Sequence, residues 1–477
     1  MFVKLSKNAY VRQFDEYTYL FDRLNSADRI FRHADVFLRW IGRQPIEVRS
    51  IVENICKSFI DADPVVVKKD FEEFIRPLVN ANLILESDTL ESIDANEKFF
   101  SYDAEQVRTK EDTQYLTREE VEKTPHIILG KYFNEHPTPL RLHIDVTQAC
   151  TERCVHCYIP EYNPVFLPFE KIGQVIDEAR ALQCMHVTFS GGECMMHPDF
   201  DKMLRYAYAN DLTVAILSNL TLCDDEKIKL LKEVEATVQV SLYSMNADVH
   251  DSITKRKGSW LQTKTAIERL RENNIPCFIA CPTMKQNFDS YFEVIDFAKS
   301  LNMSAQIDPI VMGKMDCDTS NLSCRIDLFQ ARKVLEDVVY KAIPMDSEYF
   351  SLVKRGELRP REELLNEPVC GAGVDSICLD STGIYYPCPG FVGFKLGNCF
   401  ENSFGWVWNE SPEMKRLRAI RGRDFKKCAS CKDADFCSIC MCRNYNETGN
   451  PFEPVDYFCE VARMSHEIVC GKLGVNR

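Results

Sequence analysis

The stretch DVTQACTERCVHCYIP, residues Asp145–Pro160, carries Cys150, Cys154 and Cys157 within eight positions. It directly follows Arg141–Val146, where apolar and polar residues alternate as they do along a β-strand. Three residues separate the first two cysteines and two residues separate the last two. One short loop with this spacing can bind three irons of a [4Fe–4S] cube and leave the fourth iron open to another molecule.

Zinc is the alternative metal for three such cysteines, with His156 as a candidate fourth ligand. The position of the loop favours the iron–sulfur cluster, because a loop at the carboxyl end of a barrel strand is where such folds carry their chemistry. His156 and Tyr158 are then expected to pack on the cluster.

Strand and helix patterns alternate from Leu140 to about Tyr340. Six strand–helix pairs in a row predict an α/β fold, a parallel sheet with helices outside it. Six pairs fall short of a closed eight-stranded barrel, so we predict a partial (β/α)6 barrel. The predicted strands are Arg141–Val146, His186–Phe189, Thr213–Leu217, Thr237–Leu242, Pro276–Cys281 and Ser304–Pro309.

The cysteine loop and its strand resemble the signature of the radical S-adenosylmethionine (SAM) superfamily. The resemblance implies that the open iron binds SAM and that its cleavage yields a 5′-deoxyadenosyl radical. It also implies SAM contacts near the ends of the following strands, including a Gly-Gly-Glu motif that receives a hydrogen bond from the SAM amino group. Individually, these motifs also fit ordinary turns and helix caps. The implied SAM-binding residues are Tyr158, Gly191, Gly192, Glu193, Ser218, Asn219, Ser241, Tyr243 and Arg256.

The chain contains 22 cysteines, and nine of them lie between Cys370 and Cys442. In a reducing compartment, clustered cysteines indicate metal or redox chemistry rather than disulfides. Many turn residues and few long periodic runs accompany them, which predicts a small domain held together by metal.

The C-terminal cysteine spacing resembles that of the SPASM domain of peptide- and protein-modifying radical SAM enzymes. The resemblance implies two auxiliary [4Fe–4S] clusters and therefore three clusters in all. The expected spacing places a cysteine where this chain has Met441, so the choice between Cys440 and Cys442 stays open, and two zinc sites are the alternative. The implied ligands of the first auxiliary cluster are Cys370, Cys388 and one of Cys440 or Cys442, with Cys378 as a plausible addition; those of the second are Cys428, Cys431, Cys437 and Cys459.

The N-terminal region has short alternating stretches, Tyr10–Phe14 and Tyr17–Phe21, followed by amphipathic runs at Ala34–Ile41, Ile46–Phe59 and Val65–Leu83. This order predicts a winged-helix α+β domain and resembles the recognition element of enzymes that modify ribosomally made peptides. The resemblance implies binding of a leader peptide as an added strand. A DNA-binding winged helix is the alternative, but Val65–Leu83 mixes acidic with basic residues.

We therefore predict five segments. They are a recognition-like domain at 1–95, a linker at 96–138, the partial barrel at 139–342, a connector at 343–369 and the auxiliary-cluster domain at 370–477.

The formal net charge is −14, which argues against nucleic acid as a partner. The N-terminus lacks the apolar segment of a secretory signal, and no apolar run approaches the ~20 residues that span a bilayer. These features predict a cytoplasmic location, no membrane partner, and an external reductant such as flavodoxin or ferredoxin, which radical SAM chemistry implies.

The resulting functional prediction is a maturase that forms cysteine-to-carbon thioether crosslinks in a ribosomally made precursor peptide. Carbon–carbon crosslinking, formylglycine formation as in anaerobic sulfatase-maturing enzymes, and epimerisation are alternatives within the same class. A non-catalytic iron–sulfur scaffold and a zinc-stapled peptide-binding protein are alternatives from other classes. The sequence identifies no general base.

Overall fold

The computed structural model describes residues 1–24, 28–103, 123–343, 345, 347–356, 358 and 361–475. Two compact units divide the chain at Ser101, so that the barrel and the cysteine-rich region belong to one unit, Tyr102–Arg477. Of the predicted linker, residues 104–122 lie outside the described residues, and Pro125–Glu135 forms a helix.

The N-terminal unit, Met1–Ser101, contains two antiparallel sheets. In the first, β1 (Phe2–Leu5) lies between β5 (Ile46–Glu47) and β6 (Ile84–Ser87). The second has β3 (Tyr17–Asp22) between β2 (Ala9–Phe14) and β4 (Arg29–Arg32).

The predicted hairpin strands therefore appear as β2 and β3, and a two-residue turn at Asp15–Glu16 joins them. The prediction of a helix over Ala34–Ile41 is wrong in length, because only Asp35–Leu38 is helical. Helices at Val48–Ser58 and Pro64–Asn80 complete the unit. The second begins at a helix start signal, since Asp63 accepts a hydrogen bond from the Val65 amide and Pro64 follows it.

A nine-stranded sheet forms the centre of the second unit, in the order β12-β11-β10-β9-β8-β7-β13-β14-β15. Six parallel neighbours form the barrel wall: β7 (Arg141–Thr147), β8 (His186–Gly191), β9 (Thr213–Ser218), β10 (Thr237–Ser241), β11 (Cys277–Pro282) and β12 (Ser304–Asp308). All six agree with the predicted strands to within two residues at each end.

Three strands from the cysteine-rich region extend this wall beyond β7. They are β13 (Ser376–Leu379), β14 (Ile384–Tyr386) and β15 (Gly397–Asn398), and β13 runs parallel to β7. The sequence patterns did not predict this pairing. It brings the predicted auxiliary-cluster region directly against the strand that carries the first cysteine loop.

The helices of the barrel cover its outer face. They are Phe169–Ala181, Phe200–Ala209, Asp225–Glu233, Ala247–Thr254, Ser259–Glu272, Tyr291–Ser300 and Leu328–Asp337. Arg256 closely follows the helix Ala247–Thr254, which ends where Lys255 adopts a left-handed conformation. Helix starts are locally encoded, as at Asp327, which forms a capping box with Gln330.

The cysteine-rich region contains more regular structure than its composition predicts. Its last helix, Asp456–Leu473, runs for 18 residues and packs against Leu328–Asp337 of the barrel. The remaining helices between the barrel and the C-terminus are Glu348–Arg355, Arg361–Asn366, Phe404–Asn409, Pro412–Ala419, Lys426–Ala429 and Met441–Thr448. Among the described residues, no helix has the length and apolar character needed to cross a membrane.

A buried ion pair joins the loop after β12 to the helix Met441–Thr448. Arg325 donates from Nη1 to Glu447 Oε2 at 3.0 Å, and the two side chains are only 10% and 7% exposed. The guanidinium also lies over the rings of Tyr457 and Phe458. This pair holds the barrel and the cysteine-rich region together.

Glu447→Ala is expected to lower the free energy of unfolding by about 3–5 kcal/mol, because it leaves the Arg325 charge buried without its partner. Urea unfolding followed by circular dichroism measures the loss. Glu226→Ala is the matched control, since Glu226 is exposed in its pair with Lys229 and its removal should cost less than about 1 kcal/mol. Equal losses in the two variants would contradict a structural role for the buried pair.

Candidate active site

The first cysteine loop lies at the carboxyl end of β7 and brings Cys150, Cys154 and Cys157 together. Burial raises the pKa of all three thiols, that of Cys150 to about 12, and the neighbouring sulfurs raise the pKa values of Cys150 and Cys154 further. All 22 cysteines of the chain are free thiols. Three desolvated sulfurs that share one loop without forming a disulfide are the donor set that an iron–sulfur cluster requires.

The Gly-Gly-Glu motif ends β8 directly beside this loop. The amide of Gly192 donates to Thr147 O and that of Glu193 to Ala149 O, both at 2.8 Å. Gly191 has φ +125°, and a Cβ there would lie 2.1 Å from Thr147 O. A Cβ on Gly192 would lie 2.3 Å from Ala149 O. The two glycines therefore permit the close approach of the motif to the cysteine loop.

The Glu193 carboxylate is fully buried and well hydrogen-bonded. Its Oε1 accepts from the Met195 amide at 3.0 Å and from Ser218 Oγ at 2.8 Å, and its Oε2 accepts from the Asn219 amide at 2.9 Å. Burial raises the pKa of this carboxyl, and these hydrogen bonds oppose the rise. These hydrogen bonds connect the Gly-Gly-Glu motif to the end of β9.

Asn219 and Arg256 meet at the first cysteine. Asn219 Nδ2 lies 3.7 Å from Cys150 Sγ and donates to Thr151 Oγ1 at 3.0 Å. Arg256 Nη1 approaches Thr151 O and Thr221 Oγ1, each at 3.4 Å. The structure therefore brings these predicted residues together. It adds Thr151 and Thr221, which were not predicted because a single threonine forms no recognisable pattern in the sequence.

Tyr243 lies against the middle cysteine. Its hydroxyl donates to Cys154 Sγ at 3.8 Å, and a hydrogen bond from Ser241 reaches the same phenol. The ring packs edge-on against His156, with ring centres 5.1 Å apart. The predicted residues Ser241 and Tyr243 are therefore grouped around Cys154.

Tyr158 lies between the first cysteine loop and the cysteine-rich region. Burial raises the pKa of its phenol well above the ordinary value, and Asp145, Cys157 and Cys378 raise it further. A Cβ on Gly390, two residues after Cys388, would lie 3.1 Å from its ring.

A second group of cysteines forms around the end of β13. The thiols of Cys388 and Cys440 raise the pKa of Cys370, which desolvation already lifts, to about 11. A hydrogen bond from the Cys388 thiol to Cys442, together with burial, raises the pKa of Cys388 well above its ordinary value. Cys440 and Cys442 therefore both lie near this group, while Cys378 lies on β13 opposite His143 of β7.

A third group lies in the C-terminal turns and in the last helix. Burial raises the pKa of Cys428 to about 11, and the thiols of Cys437, Cys459 and Cys431 raise it further. The pKa values of Cys437 and Cys459 are raised in the same way. Four mutually close thiols that belong to neither of the other groups fit one further cluster.

A small cavity lies between the first loop and the second cysteine group. Asp145, Thr147, Gly191, Cys378, Asp380 and Gly390 are among the residues that line it. Asp145 is held from one side by His143 Nε2 at 2.9 Å and approached from the other by the Cys378 thiol at 3.9 Å. The sequence did not reveal Asp145 and His143 as site residues, because isolated polar residues within a strand carry no local signal.

Two family profiles match the chain in these regions. The Radical SAM superfamily matches residues 144–298, and an iron–sulfur cluster-binding domain, SPASM, matches residues 370–433. The chain is therefore a radical SAM enzyme with a SPASM domain. The first domain binds SAM and a [4Fe–4S] cluster, and the second binds auxiliary iron–sulfur clusters.

Among characterised proteins, the chain is 29% identical over 336 residues to the antilisterial bacteriocin subtilosin biosynthesis protein AlbA of Bacillus subtilis, which covers 67% of this chain and 71% of AlbA. It is 27% identical over 331 residues to the mycofactocin maturase MftC of Mycolicibacterium smegmatis, with coverage of 67% and 82%. The fold is similar to that of Streptococcus suis SuiB bound to its precursor peptide SuiA, with a TM-score of 0.63, 17% identity, and coverage of 96% and 99%.

Proposed function

We propose that this enzyme modifies a ribosomally made precursor peptide by forming a thioether between a cysteine sulfur and a carbon of the same peptide. The pairing of β13 with β7 carries the proposal, since it brings Cys378, beside the second cysteine group, next to the strand that leads into the first cysteine loop. Three relatives support a peptide as the substrate: AlbA is a bacteriocin biosynthesis protein, MftC is a maturase, and SuiB binds the precursor peptide SuiA.

We assign the SAM-binding cluster to Cys150, Cys154 and Cys157, and the second auxiliary cluster to Cys428, Cys431, Cys437 and Cys459. For the first auxiliary cluster we assign Cys370 and Cys388. Cys440, which lies near Cys370, and Cys442, which lies near Cys388, both qualify as further ligands. When bound, SAM and its cluster supply the radical that removes a hydrogen atom, and the auxiliary clusters supply an acceptor for one electron.

The residues of this chain hold and shield the reacting groups. A new carbon–sulfur bond replaces one C–H and one S–H bond, so one hydrogen atom, one proton and one electron leave the peptide. Gly191 and Gly192 bring the SAM-binding motif close to the cysteine loop, and Glu193 is positioned by Ser218 and Asn219. The ring of Tyr158 lies close to Gly390, which lines the cavity.

We further propose that residues 1–95 bind the leader of the peptide. In the sheet β2-β3-β4, β2 and β4 are the outer strands. An extended leader can add to an outer strand through backbone hydrogen bonds. The electron that starts each turnover is proposed to come from a flavodoxin or a ferredoxin.

Anaerobic co-expression with the small peptide encoded beside its gene tests the function. The expected product has lost two hydrogens per crosslink, and the cysteines involved no longer react with an alkylating reagent. Peptide from cells that carry the Cys154→Ala enzyme is the control and should keep its full mass. Tandem mass spectrometry locates the bond.

Other outcomes point to different chemistry. The same mass loss with cysteines that still alkylate would contradict thioether formation and favour carbon–carbon crosslinking or formylglycine. A peptide that takes up deuterium from deuterated water, but keeps its mass in ordinary water, would indicate epimerisation. An unchanged peptide that also shows no deuterium uptake would contradict peptide modification.

A further inference from the structure

Hydrogen bonds and ring contacts fix the position of Tyr243 beside the first cysteine group. Its amide donates to His250 Nδ1 at 3.2 Å, and its carbonyl accepts from Asn287 Nδ2 at 2.8 Å. The ring is packed between those of His156 and His250, with centre-to-centre distances of 5.1 and 5.3 Å. The backbone hydrogen bonds and the two ring contacts therefore fix the position of the phenol.

Cys154 has apolar surroundings on one side, and on the other the buried carboxylate of Glu152 lies 3.4 Å from its sulfur. Cys154 and Val155 pack against a buried cluster that contains Tyr243, Ile253 and Met284. A hydrogen bond in such a low-polarity setting is electrostatically stronger than the same bond in water.

The direction of the hydrogen bond at Cys154 follows from the donors present. Ser241 is the second hydrogen-bonding partner of the Tyr243 phenol, so its hydroxyl can donate to the phenol oxygen and leave the phenolic hydrogen for Cys154 Sγ at 3.8 Å. Glu152 Oε2 accepts the hydrogen of the free Cys154 thiol at 3.4 Å, a bond that an iron-bound thiolate cannot make. Tyr243 is then the side-chain donor that reaches the sulfur.

We propose that Tyr243 is a positioning residue that donates a hydrogen bond to the cluster-bound Cys154 sulfur and thereby makes the SAM-binding cluster easier to reduce. Hydrogen bonds to cluster sulfurs stabilise the reduced, more negative state and raise the reduction potential. This role at the cluster goes beyond the SAM contact that the resemblance implies for Tyr243. The inference rests on the proposed cluster at Cys150, Cys154 and Cys157 and does not depend on the peptide chemistry.

Anaerobic reductive titration of the full chain, followed by electron paramagnetic resonance, tests this role. The signal of the SAM-binding cluster is recognised because it changes when SAM is added. In Tyr243→Phe, which keeps the ring and removes the hydroxyl, the equilibrium constant for reduction of this cluster should fall about tenfold. Tyr291→Phe is the matched control, because Tyr291 is also buried and donates to Asp337 Oδ2 at 2.8 Å, and it should titrate like the wild type.

An unchanged equilibrium in Tyr243→Phe would overturn the proposal, as would an equal shift in Tyr291→Phe. If the Tyr243→Phe protein loses iron, Ser241→Ala is the deciding variant. It keeps the Tyr243 ring and removes only the Ser241 hydroxyl that orients the phenol. A lowered equilibrium in that variant supports the role of Tyr243, and an unchanged one overturns it. A wild-type signal that does not respond to SAM would overturn the cluster assignment itself, whereas failure of peptide modification alone leaves this titration unaffected.

Discussion

Cys154→Ala is expected to abolish SAM cleavage. Cys154 is the middle of three thiols on one loop, and the two sulfurs that remain cannot hold a cluster with an open iron. After reduction, formation of 5′-deoxyadenosine should fall by at least about a thousandfold, which corresponds to a loss of roughly 4 kcal/mol of transition-state stabilisation. Chromatography with mass detection measures the product, and iron analysis should show the loss of about four irons per chain.

Cys56→Ala is the control for this prediction. Cys56 lies half-buried in the N-terminal unit, outside the three cysteine groups, so its replacement should leave both iron content and SAM cleavage unchanged. A Cys154→Ala enzyme with full iron content and full turnover would contradict the assignment. Zinc rather than iron in the wild-type protein purified without oxygen would do so as well, because it would revive the zinc interpretation of the loop.

Gly191→Ala should have the second large effect, on stability and on the cluster together. The new Cβ would lie 2.1 Å from Thr147 O, and the backbone at φ +125° is in a region that residues with a side chain rarely adopt. Because the obstacle is backbone, relief requires a shift of β8 away from the cysteine loop. We expect a loss of more than about 3 kcal/mol in the free energy of unfolding and a strongly reduced iron content.

Gly130→Ala provides the matched control. Gly130 lies inside the helix Pro125–Glu135, and a Cβ there has no described atom within 4 Å apart from its own helix and chain neighbours. The substitution should leave the iron content unchanged and increase stability by about 0.5–1 kcal/mol. Anaerobic urea unfolding compares the two variants. Normal iron content and stability in Gly191→Ala would show that the close approach of the two segments is dispensable.

Local signals in the sequence explain why the barrel was predictable. The strand β7 alternates buried Leu142, Ile144 and Val146 with partly buried His143 and Asp145, and this alternation is readable from the sequence. Helix starts such as Asp224 and Asp327 are encoded by single capping residues. Predictions failed where such a signal was weak, as in Asp456–Leu473, whose cysteines and turn-rich neighbours obscured a long helix.

The sequence by itself determined the class of enzyme, because the three cysteines of the first loop and the Gly-Gly-Glu motif are short and contiguous, and the C-terminal cysteines are recognised by their spacing along the chain. The positions of the strands followed for the same reason, since hydrophobic periodicity is a local property.

Only the tertiary structure decided how distant residues meet. Tyr243 and Cys154 are 89 residues apart, and Cys378 and Asp145 are 233 apart. Their contacts depend on which strands become neighbours, and the pairing of β13 with β7 is a long-range choice that no local pattern records. The cavity beside Cys378 results from that pairing, and the hydrogen bond from Tyr243 to Cys154 results from the place of β10 in the same sheet as β7.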